Sequence, residues 1–306
     1  MGYLLYYLLI KPISLLPLSV TYRFADVAAF LLFRVVGYRK KVVLGNMRAS
    51  FPTWDEKKLQ STAKEFYRYF CDLMVESLRL FSMPEEEAIR RCEVTNPELL
   101  LPYRGKSVVI YGGHYNNWEI AGLSFPSQLL PHRTMSLYSP LKNRVMDALS
   151  QKNRTRYGLV LVSRRSIGRY YNQDQPPSVE IYISDQSPSN AHWWKLHWTT
   201  FLGRTTSFLA GPERYAVRYN RPVFYMRLRR VKRGHFQATL VPVTDQPKQT
   251  EPGFITEFFA RELEREIIRD PAHWLWTHRR WKRGVAAEVP EKLAGKPYLA
   301  GEYKRS

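Results

Sequence analysis

The chain has little cysteine and none of the spacings that mark a metal site. Only two of its 306 residues are cysteines, Cys71 and Cys92, and they form no disulfide framework. We expect both thiols to be reduced and buried, as suits a protein that faces the cytoplasm. No cysteine–histidine cluster has zinc spacing and no HExxH segment occurs, so we predict no metal ion.

Negative charge is also scarce. The 47 Lys and Arg residues outnumber the 27 Asp and Glu residues, and the net charge is +20 at pH 7. Such an excess calls for an acidic partner: an anionic lipid headgroup, a nucleic acid or an acidic carrier protein. Aromatic residues make up 14% of the chain and include eight Trp, which favours a protein at a membrane interface.

No apolar run near the N-terminus is long enough for a clean spanning helix, which needs roughly 18–20 residues. Residues 1–37 are strongly apolar but are interrupted by Lys11, Pro12, Pro17, Arg23 and Asp26. A secretory signal is not expected, because the basic n-region and cleavage site are missing. We predict a membrane anchor over residues 1–41, either a kinked hairpin or interfacial helices; the alternative is a helical hairpin buried in the core. The basic cluster at 34–41 predicts that the rest of the chain is cytoplasmic.

The remainder predicts an α/β fold with a mixed, mostly parallel central sheet flanked by helices. We expect a helical region over 42–91, an α/β catalytic domain over 92–283 and a C-terminal tail over 284–306. Thr53 and Glu56 predict a capping box at the start of a long helix. The last two strands, Pro222–Arg229 and His235–Val243, are expected to pair antiparallel through a turn at 232–234.

The stretch GGHYNNWE, residues 112–119, carries the clearest chemical signal. The apolar run Ser107–Tyr111 predicts a buried strand, the glycines predict a sharp turn, and Asn116 or Asn117 would cap a helix. Residues five apart do not share a helix face, so His114 would lie on the turn and fold back towards Glu119. A histidine held by a carboxylate can act as a general base. From these two residues alone, a histidine satisfied by backbone and a solvated glutamate is the alternative.

No serine or cysteine stands in a nucleophile-elbow context, so the base would act on a substrate hydroxyl. Four stretches together resemble the bacterial lipid A biosynthesis (late, Kdo-dependent) acyltransferase family, within the glycerolipid acyltransferase superfamily that carries His-x-x-x-x-Asp/Glu. They are GGHYNNWE at 112–119, VVLGNMRASFP at 42–52, SDQ at 184–186 and WLWTHRRWK at 274–282.

This resemblance implies transfer of a fatty acyl chain to a hydroxyl of a lipid A precursor at the cytoplasmic face of the bacterial inner membrane. His114 would be the base and Glu119 its partner. Acyl-acyl carrier protein or acyl-CoA would be the donor, with no bound cofactor. The implied partners are the acyl carrier protein, membrane lipids and an anionic glycolipid acceptor.

Further residues are expected to contact substrate. Asp185 and Gln186 end a strand, where they could hold substrate hydroxyls, brace the catalytic loop or form an Asx-type turn. Ligands collect at the carboxyl ends of strands, so His114 and Asp185 could line one cleft. The other expected substrate-binding residues are Asn117, Arg156, Arg164, Gly203, Arg204 and Thr205.

Two sequence patterns support these expected substrate contacts. FLGRTT at 201–206 resembles the family's Phe-x-Gly-x-x-Thr segment, where a glycine permits close approach to a ligand and Arg204 could meet phosphate. A helix beginning near Thr206 would add free amides. Arg156 and Arg164 belong to a basic group at 154–165. This group could contact phosphate or the carrier protein, or it could simply form a solvated surface. Trp193, Trp194 and Trp198 could enter lipid or line an acyl groove.

One position departs from the resemblance. Many relatives carry Arg at the centre of the segment aligned with YSP at 138–140, and this chain has Ser139. Lys142 or Arg144 is the expected replacement if that arginine contacts phosphate. His278, Arg279 and Arg280 are expected to brace the C-terminal end against the site.

Two other functions fit parts of the pattern. The same chemistry could serve a lysophospholipid, an aminolipid or a mannosylated inositol lipid. A non-enzymatic basic module for membrane or nucleic acid is the second alternative. The dispersed charge and the lack of a nucleic-acid motif argue against nucleic acid as a partner.

Overall fold

The computed structural model describes residues 2–188 and 195–282, which form an α/β structure around a seven-stranded sheet. The strand order is β1-β9-β8-β2-β5-β3-β4, and β6 and β7 form a separate hairpin. The strands are β1 (Cys92–Val94), β2 (Val108–Gly112), β3 (Arg133–Tyr138), β4 (Val160–Ser163), β5 (Ser178–Ile183), β6 (Leu196–Phe201), β7 (Arg204–Leu209), β8 (Val223–Lys232) and β9 (His235–Thr244).

Every neighbouring pair in the large sheet is parallel except β8 and β9. Strand β2 lies at the centre, between β5 and β8, and all five of its residues are buried. A parallel strand covered on both faces needs a continuous apolar sequence, which explains the run Val108–Tyr111. The predicted fold class and the antiparallel final pair are therefore confirmed.

Helices cover both faces of the sheet. On one face, Tyr111 and Tyr225 pack with Phe66 and Phe259 of two long helices. On the other face, Ile110 packs in a separate core with the helices that precede β1 and follow β2. The helices are α1 (Gly2–Leu5), α2 (Lys11–Leu15), α3 (Leu18–Phe30), α4 (Lys40–Ser50), α5 (Glu56–Arg79), α6 (Glu85–Arg91), α7 (Trp118–Gln128), α8 (Arg144–Thr155), α9 (Ile167–Tyr171), α10 (Gly211–Tyr219) and α11 (Phe254–Arg269).

Two local predictions are wrong. The cap of α5 is Asp55, whose Oδ1 accepts from the Lys58 amide at 2.7 Å, so Thr53 does not begin a capping box. Thr206 lies within β7 rather than at a helix start. The β6–β7 hairpin forms because Leu202 and Gly203 both have positive φ, the combination that a tight two-residue turn requires.

The N-terminal segment, residues 2–36, is helical and leaves many apolar side chains exposed. Phe24 is 64% exposed, and Val27 and Phe30 are each 60% exposed. Within the described residues no single helix is long and apolar enough to cross a membrane. The pair Gly2–Leu15 and Leu18–Val36, bent by 115°, satisfies the length and composition test together. Cys71 and Cys92 are free and buried, as expected.

Candidate active site

His114 lies on the turn between β2 and α7, as the sequence predicts. Asn117 caps α7, because its Oδ1 accepts from the amides of Glu119 at 3.1 Å and Ile120 at 3.2 Å. Gly113 permits this turn to lie against α11: a Cβ at that position would be 2.8 Å from a methyl group of Leu263. The turn therefore presents His114 at the carboxyl edge of the central strand.

Asp185 is the carboxylate that holds His114. Its Oδ1 accepts from the His114 backbone amide at 2.9 Å and lies 2.6 Å from Nδ1 of the ring. Its Oδ2 accepts from the indole Nε1 of Trp274 at 2.7 Å. Burial alone would raise the pKa of Asp185, but the charge on His114 and the hydrogen bonds from His114 and Trp274 lower it to about 2. When the His114 ring is neutral, an ionised Asp185 places the ring proton on Nδ1 and leaves Nε2 to receive one.

The expected contact between His114 and Glu119 is not formed, although the structure describes both residues. The two carboxylate oxygens of Glu119 instead accept from Nη2 of Arg154 at 2.8 and 2.7 Å. The reason is the strand arrangement. Strand β5 pairs with β2, with Ile183 opposite Gly112, so the residues after both strands meet at one edge. The first turn of α7 carries Glu119 towards α8, where Arg154 lies.

The C-terminal motif completes this arrangement. The Leu275 amide donates to the His114 carbonyl at 3.2 Å, and Tyr115 and Trp274 form an isolated antiparallel bridge. Asn46 donates to the carbonyls of Trp276 and His278, each at 3.0 Å. The four stretches that carry the family resemblance therefore meet around His114. Trp274 and Asn46 were not among the expected site residues, although both stand inside those stretches.

The remaining predicted residues lie in different environments. Arg156 donates to the Met83 carbonyl and to Asn153, and it braces α8 against the chain after α5. Nη1 of Arg164 is 3.4 Å from Oγ of Ser139, so a guanidinium lies beside the position that departs from the resemblance. Gln186 follows Asp185 directly and is half-buried.

Gly203, Arg204 and Thr205 lie at the tip of the β6–β7 hairpin. The Arg204 guanidinium is 4.2 Å from the Trp281 ring, and burial lowers the pKa of Arg204. The hairpin approaches the site through Phe201, whose ring centre is 5.8 Å from that of Trp274. Trp198 lies buried on β6. Trp193 and Trp194 lie outside the described residues, as does the predicted tail at 284–306.

Two basic side chains of the C-terminal motif lie close enough to Asp185 to interact with its charge. Burial lowers the pKa of His278 to about 4, so this ring is neutral at pH 7. Arg280 is 2% exposed and donates to the Ser207 carbonyl, and burial lowers its pKa to about 10. The contact from Arg280 joins the motif to strand β7 of the hairpin.

Residues 1–283, which include all four converging stretches, match the family model described as bacterial lipid A biosynthesis acyltransferase. The chain belongs to this family. It is therefore an acyltransferase of lipid A biosynthesis, as the sequence motifs predict. Comparison with curated proteins gave no match.

A metal ion has no evident place in the described part of this lipid A acyltransferase. No group of three or more His, Cys, Asp or Glu residues there could hold one. The chemistry that the site offers is instead acid–base chemistry at a single imidazole, with an ionised carboxylate behind it.

Proposed function

We propose that this lipid A acyltransferase moves a fatty acyl chain from an acyl carrier protein thioester to a hydroxyl of a lipid A precursor, with His114 as general base and Asp185 as its partner. The observation that carries the proposal is the 2.6 Å contact between Nδ1 of His114 and Oδ1 of Asp185. It fixes the ring orientation and stabilises the imidazolium that forms when Nε2 takes a proton.

The reaction needs one proton transfer in each direction. The acceptor hydroxyl gives its proton to Nε2 of His114, and its oxygen attacks the thioester carbonyl carbon. The tetrahedral intermediate then breaks its carbon–sulfur bond, and the departing sulfur receives the proton from the imidazolium. The products are an ester and a free carrier thiol, and no covalent acyl-enzyme or cofactor is required.

The developing oxyanion needs donors that the turn does not already use. The amides of His114, Asn116, Glu119 and Ile120 are engaged by Asp185, His273 and Asn117. These four amides are therefore poor candidates for an oxyanion hole. A donor outside these four amides must take that role.

Glu119 and Arg154 take a second role in this proposal. Both are partly exposed, and they lie on the first turn of α7 and on α8. A guanidinium held in place by one carboxylate can still donate to a phosphate oxygen of the acceptor. We therefore assign Glu119 to positioning Arg154, instead of to holding His114 as its sequence spacing suggests.

The surface fits a location on a membrane. The N-terminal segment exposes apolar side chains, and the net charge of +20 suits anionic lipid and an acidic carrier protein. We propose that the segment lies in the cytoplasmic leaflet of the bacterial inner membrane. The acceptor lipid would then enter from the bilayer and the donor from the cytoplasm.

Acyl transfer by the full chain in anionic vesicles tests the proposal. Acyl carrier protein with a labelled acyl group is offered together with a lipid A precursor, and product lipid is measured by mass spectrometry. We expect transfer by wild type, and loss of transfer with retained circular dichroism for His114→Ala. Transfer to a lysophospholipid, an aminolipid or a mannosylated inositol lipid, with none to lipid A precursor, would reject the acceptor. Full activity of His114→Ala would reject the mechanism.

A further inference from the structure

Helix α5 carries a buried polar stripe on one face. Tyr69, Asp72 and Glu76 are three and four residues apart, so their side chains point the same way. All three are at most 5% exposed. Burying a carboxylate costs free energy unless hydrogen bonds satisfy it, so the partners of this stripe are informative. The stripe lies between the N-terminal helix α3 and the turn that carries His114.

Glu76 joins these two elements directly. Its Oε1 accepts from the Tyr22 hydroxyl of α3 at 2.7 Å, and its Oε2 accepts from Nδ2 of Asn117 at 2.7 Å. The Oδ1 atom of the same Asn117 side chain caps α7. One buried carboxylate thus links a helix of the apolar N-terminal segment to the capping residue at the end of the His114 turn.

A second route runs in parallel through charged groups. Arg233 donates to Asp26 of α3 at 2.9 Å and to Asp72 at 2.9 Å. Arg230 donates to Asp72 at 3.1 Å and lies 3.0 Å from Nε2 of His273, whose carbonyl accepts from the amide of Asn116. The third member of the stripe, Tyr69, donates to the Asn116 carbonyl at 2.7 Å.

The opposite side of α3 meets solvent with apolar side chains. Phe24, Val27 and Phe30 are exposed, whereas Ala25 and Ala29 pack on α5 beside Cys71. Ala25 and Ala29 pack α3 against α5, and the Tyr22 hydroxyl adds a hydrogen bond to Glu76 between the same two helices.

We propose that Glu76 is a positioning residue that couples helix α3 to the His114 turn, so that the N-terminal segment contributes to the rate of acyl transfer as well as to location. This inference rests on the proposed role of His114. When α3 is seated, Tyr22 fixes Glu76, Glu76 fixes the Asn117 amide, and Asn117 sets where the turn ends. When the Tyr22 contact is lost, Asn117 keeps its cap but loses a fixed partner.

The test compares two tyrosine hydroxyls that each join α5 to the N-terminal region. Tyr22→Phe removes the contact to Glu76. Tyr67→Phe is the matched control, because the Tyr67 hydroxyl also ties α5 to the N-terminal region, through the Tyr38 carbonyl, but does not reach the His114 turn. We expect Tyr22→Phe to lower kcat about fivefold, the rate equivalent of one hydrogen bond, and Tyr67→Phe to leave it unchanged. Vesicle binding and the KM for the acceptor should match wild type in both variants.

Two changes at Glu76 give the complementary comparison. Glu76→Gln keeps an oxygen for Asn117 and an NH₂ group that can donate to the Tyr22 oxygen, so its kcat should stay close to wild type. Glu76→Ala leaves Asn117 without its partner, and its kcat should fall about tenfold or more. Should Glu76→Ala fail to fold, the Tyr22→Phe and Tyr67→Phe comparison still decides the question.

Amide hydrogen exchange of peptides covering 112–120 provides a readout that does not depend on activity. We expect faster exchange there in Tyr22→Phe than in wild type or Tyr67→Phe. Equal kcat and equal exchange in the two tyrosine variants would overturn the coupling. Faster exchange in a protein that shows no acyl transfer at all would keep the coupling and reject the proposed function.

Discussion

His114 and Asp185, which are 71 residues apart in the chain, share two hydrogen bonds to a single carboxylate oxygen, one from the backbone amide and one at the ring. The double contact holds both the main chain and the imidazole of His114 in one orientation. The carboxylate is buried, and Trp274 holds its second oxygen.

Asp185→Asn is expected to lower kcat by roughly 10² to 10⁴-fold, because an amide no longer stabilises the imidazolium or selects its tautomer. The measurement is acyl transfer at saturating donor and acceptor, with circular dichroism as a check on folding. Wild-type kcat in a folded Asp185→Asn protein would contradict the proposed pair.

Glu119→Gln separates the two candidate partners of His114. Since the Glu119 carboxylate holds Arg154, we expect mainly a higher KM for a phosphorylated acceptor, by about tenfold, and a smaller change in kcat than Asp185→Asn causes. Arg154→Gln serves as the matched variant and should show the same KM effect. If Glu119→Gln abolishes kcat while Asp185→Asn does not, the assignment of the two acids must be exchanged.

Trp274→Phe tests the second oxygen of Asp185. Loss of the indole donor removes one of the contacts that lower the pKa of Asp185, so that pKa should rise from about 2 towards its ordinary value. We expect kcat at pH 7 to fall about tenfold, because a carboxylate that has lost one of its donors holds the imidazole of His114 less firmly. Trp281→Phe is the control, because its indole donates to Thr206 on the hairpin instead of to Asp185.

Glu266 should make stability depend on pH. Burial raises its pKa from 4.5 to about 7, so its contribution to stability is fully present below pH 4.5 and is lost as the pH rises through 7. Glu266→Gln should therefore unfold at a higher temperature than wild type at pH 8, with a gain of about 3 kcal/mol at most, and differ little at pH 4.5. Thermal unfolding at the two pH values measures this; equal differences at both would argue against a raised pKa.

The exposed face of α3 should control membrane binding. Phe24→Glu is expected to weaken partition into anionic vesicles by about tenfold or more, because it removes one large apolar side chain from the interface and adds a negative charge. Vesicle flotation measures the partition. Ile268→Glu on α11, where Ile268 is 56% exposed, is the control and should partition like wild type. Equal flotation of both variants would place the membrane contact elsewhere.

Local patterns predicted three strands of the sheet and the turn at His114. Apolar runs located β2, β8 and β9 to within a few residues. The polar end of β2 located the turn, and of the two expected caps, Asn116 and Asn117, the structure has Asn117. His114 and Asp185, which were expected to line one cleft, are in direct contact at the carboxyl edge of the sheet. These features depend on short stretches of sequence, so local patterns of apolar and polar residues are enough to predict them.

The missed features depend on distant pairing. Strand β1 is three residues long, and its partner β9 lies more than 140 residues away. Asp185 replaces Glu119 beside His114 because β5 pairs with β2, and no local spacing encodes that neighbour. Glu76 appears in the sequence as one polar residue in an amphipathic helix. Only the folded chain places it between Tyr22 and Asn117.

The contacts from Trp274 to Asp185 and from Leu275 to His114 also have a consequence for synthesis. The ribosome delivers His114 and Asp185 long before the stretch that holds them in place. A nascent chain that has grown only to residue 270 contains His114 and Asp185 but neither of those contacts. The arrangement around His114 is therefore completed only after residues 274 and 275 have been added, when the apolar helices of residues 2–36 have already been synthesised.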